Sequence, residues 1–253
     1  MHIEDDSSRI NKYNYYSLLC GYVGMCMFLY GFFLVNFSSV EHSETCNEAN
    51  EENNSLRIRP PKTDKIVIMV IDALRYDFLV DDDIVKNMPF TRTLISGNNT
   101  CVFPCRVQLP TVTMPRIKAL TMGMIPNFFD IVLNFGSTRL FQDNILKQMF
   151  KAGKKIVFYG DDTWIKLFPD LFYRYEGTTS FFVTDFVEVD YNVTKNVDKE
   201  ITHNDWDVMI LHYLGLDHIG HLEGPKSLKI PSKLQEMDAV INKLIHYLSN
   251  WVK

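Results

Sequence analysis

The chain has 253 residues, of which 46% are hydrophobic and 23% are charged, so it can form a packed core and wholesale disorder is excluded. Its formal net charge of −5 lacks the basic excess that nucleic-acid binding requires, so we expect no nucleic-acid partner. Five cysteines are too few for a disulfide scaffold, and no repeat with a period of about 20–50 residues is present.

A long apolar segment near the start of the chain predicts a membrane anchor. Residues 18–37 contain no charged side chain, and a helix of about 20 residues spans roughly 30 Å, the thickness of the hydrocarbon core of a bilayer. The alternative is a cleaved signal peptide, whose apolar region usually runs only about 7–15 residues. The length of the segment therefore favours an uncleaved transmembrane helix.

The charges on either side of this segment predict its orientation. Arg9 and Lys12 precede it, whereas acidic residues follow it with no basic residue before Arg57, so residues 1–17 are expected to be cytosolic. A lumenal or extracellular remainder agrees with three Asn-x-Ser/Thr glycosylation sequons, at Asn53, Asn98 and Asn192.

An oxidising compartment would allow disulfides between the cysteines that follow the anchor. These are Cys46, Cys101 and Cys105. Their odd number leaves at least one thiol unpaired, and the sequence does not establish whether Cys101 and Cys105 pair.

Strand and helix patterns alternate after the anchor. Residues 41–63 are acidic and asparagine-rich and end in a Pro–Pro pair, which predicts a solvated lumenal stalk before a domain over 64–253. Apolar runs predict strands at 65–74, 156–159, 181–186 and 206–214, and helical periodicity predicts helices at 88–95, 115–120, 141–152 and 232–248. This alternation favours an α/β domain with a mostly parallel sheet and helices on both faces.

Polar residues fall where the predicted strands end, which is where ligands bind in doubly wound sheets. Asp72 closes the first strand, and a threonine pair precedes a predicted helix, whose N-terminal amides favour anions. The full set of these residues is Asp72, Thr111, Thr113, Asp161, Asp162, Asp217, His218 and His221.

The spacing of Asp217 and His221 would place both on one face of a helix. A carboxylate and an imidazole so placed are a natural pair of zinc ligands. The alternative is ordinary helix capping by Asp217, with His221 in solvent, and Asp72 and Thr113 could also be caps. The order of an Asp at a strand end, a Thr at a helix start and a later Asp-x-x-x-His favours a metal-dependent site.

These motifs resemble those of the GPI ethanolamine phosphate transferases, a family of the alkaline-phosphatase superfamily. The resemblance runs from about Lys65 to the end and rests on IDALRYDF, PTVTMPRIKAL, YGDDTWIKLFP, GTTSFFVTDF and LHYLGLDHIGHLEGP. It is strongest to the members that act on the second mannose of the GPI core. It implies an alkaline-phosphatase-like fold at the endoplasmic reticulum membrane with a lumenal catalytic domain.

The resemblance also implies a reaction and a cofactor. The family binds two zinc ions and uses a Thr or Ser nucleophile, here Thr113 because it precedes x-Pro. A zinc-activated hydroxyl would attack the phosphodiester of phosphatidylethanolamine, and a mannose hydroxyl of the GPI-precursor lipid would then accept the ethanolamine phosphate. The implied metal ligands are Asp72 and Thr113 for one ion and Asp217 and His221 for the other, and the implied substrate-binding residues are Asp161 and Trp164.

The chain departs from the family pattern in one respect. The sequence lacks the later Asp–His pair of the family, and its one histidine after His221 is His246, which falls inside the predicted helix 232–248 and is interpreted as a surface residue. It also lacks a multi-span membrane region. We therefore expect 64–253 to be a partial domain, incomplete at its C-terminus, and the isolated chain to be inactive. A small multi-span membrane subunit is a further implied partner. The alternatives are a phosphodiesterase or nucleotide-pyrophosphatase-type hydrolase of the same superfamily, and a non-catalytic truncated product.

Overall fold

The structure is a computed structural model that describes residues 3–32, 63–97, 100–107, 111–123, 139–140, 142–179 and 182–249. The described part begins with a 30-residue helix, α1 (Ile3–Phe32), whose side chains from 12 to 31 are exposed. Among the described residues, no helix combines the length and apolar character needed to cross a membrane. Residues 33–37 of the predicted anchor and 41–62 of the predicted stalk lie outside the described ranges.

Four parallel strands form the centre of the domain, in the order β1–β4–β2–β3. They are β1 (Ile66–Ile71), β2 (Ile156–Asp161), β3 (Arg174–Thr178) and β4 (Val208–Tyr213). Every residue of β2 and β4 is buried, as expected for the interior of a parallel sheet covered on both faces. The predicted strands at 65–74, 156–159 and 206–214, and the parallel α/β class, are confirmed.

Helices connect and cover the strands. They are α2 (Asp77–Val80), a single 3₁₀ turn (Val85–Asn87), α3 (Pro89–Ser96), α4 (Thr113–Met122), α5 (Ile145–Lys151), α6 (Thr163–Leu167), α7 (Glu188–His203), α8 (Gly215–Glu223) and α9 (Ile230–Ser249). The predicted helices at 88–95, 115–120, 141–152 and 232–248 are confirmed as α3, α4, α5 and α9.

The strand predicted at 181–186 is wrong. Residues 182–186 form turns, and the strand of this region is β3, which lies at the edge of the sheet. The residues of β3 alternate between more and less buried positions and include Arg174 and Glu176, so β3 lacks the apolar run of a central strand. The neighbouring run at 181–186, which is rich in aromatic residues, matched the pattern of a strand better than β3 did, and the strand was therefore predicted at the wrong place.

Alternate residues of the central strands pack into two separate cores, one on each face of the sheet. On one face, Val157, Tyr159, Met209 and Leu211 contact apolar residues of α7 and α9. On the other face, Ile156, Phe158, Val208 and Ile210 contact residues of α4, α5 and α6. Helices therefore cover both faces, as predicted. A third cluster, which includes Leu216, Ile219 and Leu234, packs α8 against α9.

A buried carboxylate ties the edge strand β3 to α7. Glu200 accepts hydrogen bonds from the Tyr159 hydroxyl at 2.6 Å and from Arg174 Nη2 at 2.6 Å and Nε at 2.9 Å. Burial by itself would raise the pKa of Glu200, but the hydrogen bonds from Arg174 and Tyr159 outweigh burial and hold the pKa below its usual value. Glu200 is therefore ionised in the native state under neutral conditions.

We expect Glu200→Gln to lower the free energy of unfolding by about 2–4 kcal/mol at neutral pH, because Arg174 loses its buried ionic partner. Since the native-state pKa is lowered, this contribution is complete above the unfolded-state pKa of about 4.3 and is lost as the pH falls through the native value. Urea unfolding of the two proteins at about pH 7 and about pH 4 measures the difference. Glu188→Gln, on the exposed start of α7, is the control, and an equal difference at both pH values would contradict the expectation.

Candidate active site

The structure brings Asp72 and Thr113 together at the carboxyl end of the sheet. Asp72 follows β1, and its backbone N–H donates to the Tyr213 carbonyl at 2.9 Å, which holds it against the end of β4. Thr113 is the first residue of α4, and its hydroxyl donates to Asp72 Oδ2 at 3.1 Å. Val112 occupies the capping position of α4, so Thr113 does not act as the helix cap that the sequence left open.

The carboxylate of Asp72 is anchored from several directions. Its Oδ1 accepts the backbone N–H of Ala73 at 3.0 Å, and Ala73 has a φ of +59°, a left-handed conformation that is strained for an alanine. Burial would raise the pKa of Asp72, but hydrogen bonding to His212, Thr113 and Ala73 outweighs burial and lowers the pKa. The Thr113 hydroxyl therefore faces an ionised carboxylate.

His212 belongs to the site and was missed by the sequence analysis. It lies within β4 and is 1% exposed, and its Nε2 is 3.5 Å from Asp72 Oδ2. On the opposite side of the ring, Nδ1 accepts the indole N–H of Trp164 at 3.1 Å. The signal in the sequence was a histidine inside an otherwise apolar strand, where a polar side chain requires buried hydrogen-bond partners.

Asp217 and His221 lie one turn apart on α8, as their spacing predicts. His221 Nε2 is 3.2 Å from Asp217 Oδ2, and the His221 side chain is 66% exposed. Burial, together with the nearby charge of Asp72, raises the pKa of Asp217. Asp217 therefore lies close enough to Asp72 for the two charges to interact.

Asp190, and not Asp217, caps α8. The Oδ1 atom of Asp190 accepts the backbone N–H groups of Leu214 and Gly215 at 2.9 and 3.0 Å, and its Oδ2 is 3.0 Å from Lys233 Nζ. A Cβ atom at Gly215 would lie 2.3 Å from Asp190 Oδ2, so the close approach requires glycine. This buried ion pair joins α7, α8 and α9 and fixes the helix that carries Asp217 and His221.

Asp161 and Trp164 lie beneath the surface of the site. Asp161 is 1% exposed, and its Oδ1 accepts the N–H and the hydroxyl of Thr163 at 2.9 and 2.8 Å. Its Oδ2 has no hydrogen-bond partner in the described structure, and burial raises the pKa of the group. Trp164 is 2% exposed and stacks on Phe158 with ring centroids 5.6 Å apart.

The side chains at the site have the oxygen and nitrogen donors that zinc prefers, but they form only part of a ligand set. Thr113 and Asp72 supply oxygens, and Asp217 and His221 supply an oxygen and a nitrogen. No group of three or more His, Cys, Asp or Glu side chains within the described residues is placed to hold a metal ion. The described residues therefore offer donor types that suit zinc without forming a complete ligand set.

Other predicted residues lie away from this site. Asn192 is half-buried in α7, where its side-chain oxygen accepts the Lys195 ammonium at 2.8 Å. Cys101 and Cys105 are exposed free thiols. Asn53, Asn98 and Cys46 lie outside the described residues.

Comparison with known proteins supports the class of fold. The profile of the type I phosphodiesterase / nucleotide pyrophosphatase family matches residues 137–251. The structure resembles murine ectonucleotide pyrophosphatase/phosphodiesterase 5 with a TM-score of 0.51 and 19% identity, over 74% of this chain and 52% of that one. It also resembles phosphonoacetate hydrolase from Sinorhizobium meliloti with a TM-score of 0.53 and 12% identity, over 74% and 54%. The domain thus has the fold of the phosphodiesterase and alkaline-phosphatase group.

Sequence comparison points to a narrower group of proteins than the fold does. The chain is 48% identical to human GPI ethanolamine phosphate transferase 2, catalytic subunit, over 229 residues, which are 88% of this chain and 23% of the relative. It is 44% identical to GPI ethanolamine phosphate transferase 2 of Schizosaccharomyces pombe over 239 residues, or 90% and 30%. The chain is therefore a homologue of the GPI ethanolamine phosphate transferases, as its motifs predict, and spans about a quarter of their length.

Proposed function

We propose that this chain carries the nucleophile of a transferase that moves ethanolamine phosphate from phosphatidylethanolamine to the second mannose of a GPI precursor. The observation that carries the proposal is the hydrogen bond of 3.1 Å from the Thr113 hydroxyl to Asp72 Oδ2, at the carboxyl end of the sheet. The names of relatives that are 44% and 48% identical support transfer of ethanolamine phosphate in GPI assembly.

The proposed reaction has two steps, and Thr113 takes part in both. Its oxygen forms a bond to phosphorus while the bond from phosphorus to the diacylglycerol oxygen breaks, and diacylglycerol leaves with a proton. The oxygen of a mannose hydroxyl then forms the new bond to phosphorus, the bond from phosphorus to Thr113 breaks, and the hydroxyl proton goes to Thr113 Oγ1. Before the first step, Asp72 Oδ2 orients the hydroxyl by accepting its proton in a hydrogen bond.

Zinc is the cofactor that the donor types fit. Asp72 and Thr113 would hold one ion and Asp217 and His221 the other, with the remaining ligands supplied from outside the described residues. When bound, zinc supplies a lowered pKa for the Thr113 hydroxyl and neutralises charge on the phosphoryl group. Asp161 and Trp164 would shape the substrate pocket from below.

The proposed topology places residues 1–17 in the cytosol, an anchor at 18–37, a stalk at 41–63 and the domain from 64 onward in the lumen of the endoplasmic reticulum. The charge asymmetry around the apolar segment and the three sequons support it. A partner membrane subunit is also proposed, since the human relative is named a catalytic subunit. Endoglycosidase digestion of the protein expressed in cells tests this topology, and the lack of any mobility shift would count against it.

A hydrolase is the second candidate. The matching family profile is that of phosphodiesterases and nucleotide pyrophosphatases, and water in place of the mannose hydroxyl would convert the same Thr113 intermediate into free ethanolamine phosphate.

A chimera separates the two candidates. Residues 64–253 replace the matching segment of the human relative, which then supplies the rest of a complete protein, and the chimera is expressed in cells that lack the human enzyme. We expect ethanolamine phosphate on the second mannose, detected by mass spectrometry of GPI precursors. A folded chimera that yields only free ethanolamine phosphate would support hydrolysis and contradict transfer.

A further inference from the structure

A chain of side-chain contacts runs from the interior of the domain to the nucleophile. It starts at the Trp164 indole, passes through the imidazole of His212 and the carboxylate of Asp72, and ends at the Thr113 hydroxyl. The successive distances are 3.1 Å, 3.5 Å and 3.1 Å. These four residues come from α6, β4, the end of β1 and the start of α4, so the tertiary fold alone brings them together.

The indole determines which nitrogen of His212 carries the proton in the neutral ring. An indole N–H only donates, so Nδ1 of His212 must accept from Trp164. The neutral ring then carries its hydrogen on Nε2, the atom that faces Asp72 Oδ2. The indole thereby selects the tautomer of His212 that donates to Asp72.

We propose that His212 is a positioning residue that fixes the carboxylate of Asp72 and, through it, the direction of the Thr113 hydroxyl. The inference rests on the proposed function, in which Thr113 is the nucleophile. Asp72 Oδ2 lies 3.5 Å from His212 Nε2 and accepts the hydrogen bond of the Thr113 hydroxyl at 3.1 Å. Loss of the imidazole donor frees the carboxylate to rotate, and the attacking oxygen loses its alignment.

His212 is closely packed, with 1% of its surface exposed. Gly160 of β2 lies against His212, with a φ of +146°, and a Cβ atom there would come within 2.5 Å of the His212 carbonyl oxygen and 2.6 Å of its Cβ. The Trp164 ring meets the imidazole edge-on with centroids 6.1 Å apart. His212 thus lies between Trp164 on one side of its ring and Asp72 on the other.

The first test measures the tautomer and needs no activity. Long-range proton–nitrogen NMR on the full chain, with ¹⁵N-labelled histidines, should show His212 with an acceptor Nδ1 and a protonated Nε2. The resonance is assigned by its loss in His212→Gln. Trp164→Phe removes the indole donor and should shift or mix the tautomers. A protonated Nδ1 at His212 in the unmodified chain would overturn the proposal.

The second test measures turnover in the chimera. His212→Phe keeps a ring but no donor, and we expect kcat to fall about 10–100-fold with KM for phosphatidylethanolamine changed less than about 3-fold. His212→Gln restores a donor near the Nε2 position and should recover most of the loss. Trp164→Phe should reduce kcat in the same direction.

A control separates positioning from general stability. Tyr159→Phe removes a buried hydrogen bond on the opposite face of the sheet and should leave kcat unchanged. Equal kcat values for the His212→Phe and His212→Gln variants, or a loss confined to KM, would overturn the proposal. A chimera that is inactive with His212 intact refutes the proposed function instead, and the tautomer measurement then decides the role of His212 by itself.

Discussion

Thr113→Ala is expected to abolish transfer in the chimera, with kcat lowered at least about 10³-fold, because removal of a nucleophile leaves only the residual effects of binding and electrostatics. The free energy of unfolding should change by less than about 1 kcal/mol, since Val112 and not Thr113 caps α4. Mass spectrometry of GPI precursors measures the product, and urea unfolding of the chain measures stability.

Two neighbouring substitutions are the controls for this result. Thr113→Ser retains a hydroxyl at the same position and should keep substantial turnover. Thr111→Ala changes an exposed residue and should leave turnover within about 3-fold of the unmodified enzyme. An inactive Thr111→Ala variant beside an active Thr113→Ala variant would place the nucleophile two residues upstream.

Asp190→Ala is expected to lower the free energy of unfolding by about 3–5 kcal/mol. It removes the buried carboxylate from the Lys233 ammonium, which keeps only the half-exposed Glu236 carboxylate and the Phe186 carbonyl, and it removes the acceptor for two backbone N–H groups at the start of α8. Because α8 carries Asp217 and His221, we also expect zinc affinity to fall. Urea unfolding of the chain measures the first effect, and competition with a zinc indicator measures the second.

An exposed ion pair provides the matched control. Lys86 lies 3.5 Å from Asp83, with side chains 66% and 95% exposed, so Asp83→Ala should cost less than about 0.5 kcal/mol. Lys233→Met keeps the buried aliphatic part of the side chain but removes the ammonium from Asp190. It should lower the free energy of unfolding by about as much as Asp190→Ala does. A loss below about 1 kcal/mol in both buried variants would contradict the assigned role of the pair.

The strands that sequence reasoning located are those buried on both faces, because continuous apolar runs exist only where both sides of a strand are covered. Strand β3 was missed because its residues alternate between more and less buried positions and include charges, so they form no continuous apolar run. Helix α7 was also missed, although Val189, Val193 and Val197 recur at helical spacing on its buried side. The many polar residues of α7 made this apolar periodicity hard to recognise in the sequence.

The residues of the candidate site likewise fall into those that the sequence indicates and those that only the structure reveals. Asp72, Thr113 and the Asp217–His221 pair each stand at a boundary between elements, where a short motif and its spacing are informative. His212 and Asp190 resemble ordinary residues of a strand and a helix in the sequence. Their roles depend on Trp164, 48 residues before His212, and on Lys233, 43 residues after Asp190. Only the packing of distant elements reveals such pairs.

The position of β4 between β1 and β2 affects how the protein can fold as it is synthesised. Among the described strands, β1 pairs only with β4, which leaves the ribosome about 140 residues later. At about 5–20 residues per second this delay lasts about 7–30 s, during which β1 and one edge of β2 stay open to aberrant pairing. Asp72 also depends on β4, through the Tyr213 carbonyl. The contact between the Asp72 carboxylate and the Thr113 hydroxyl therefore gains its support from β4 only after that strand has been made.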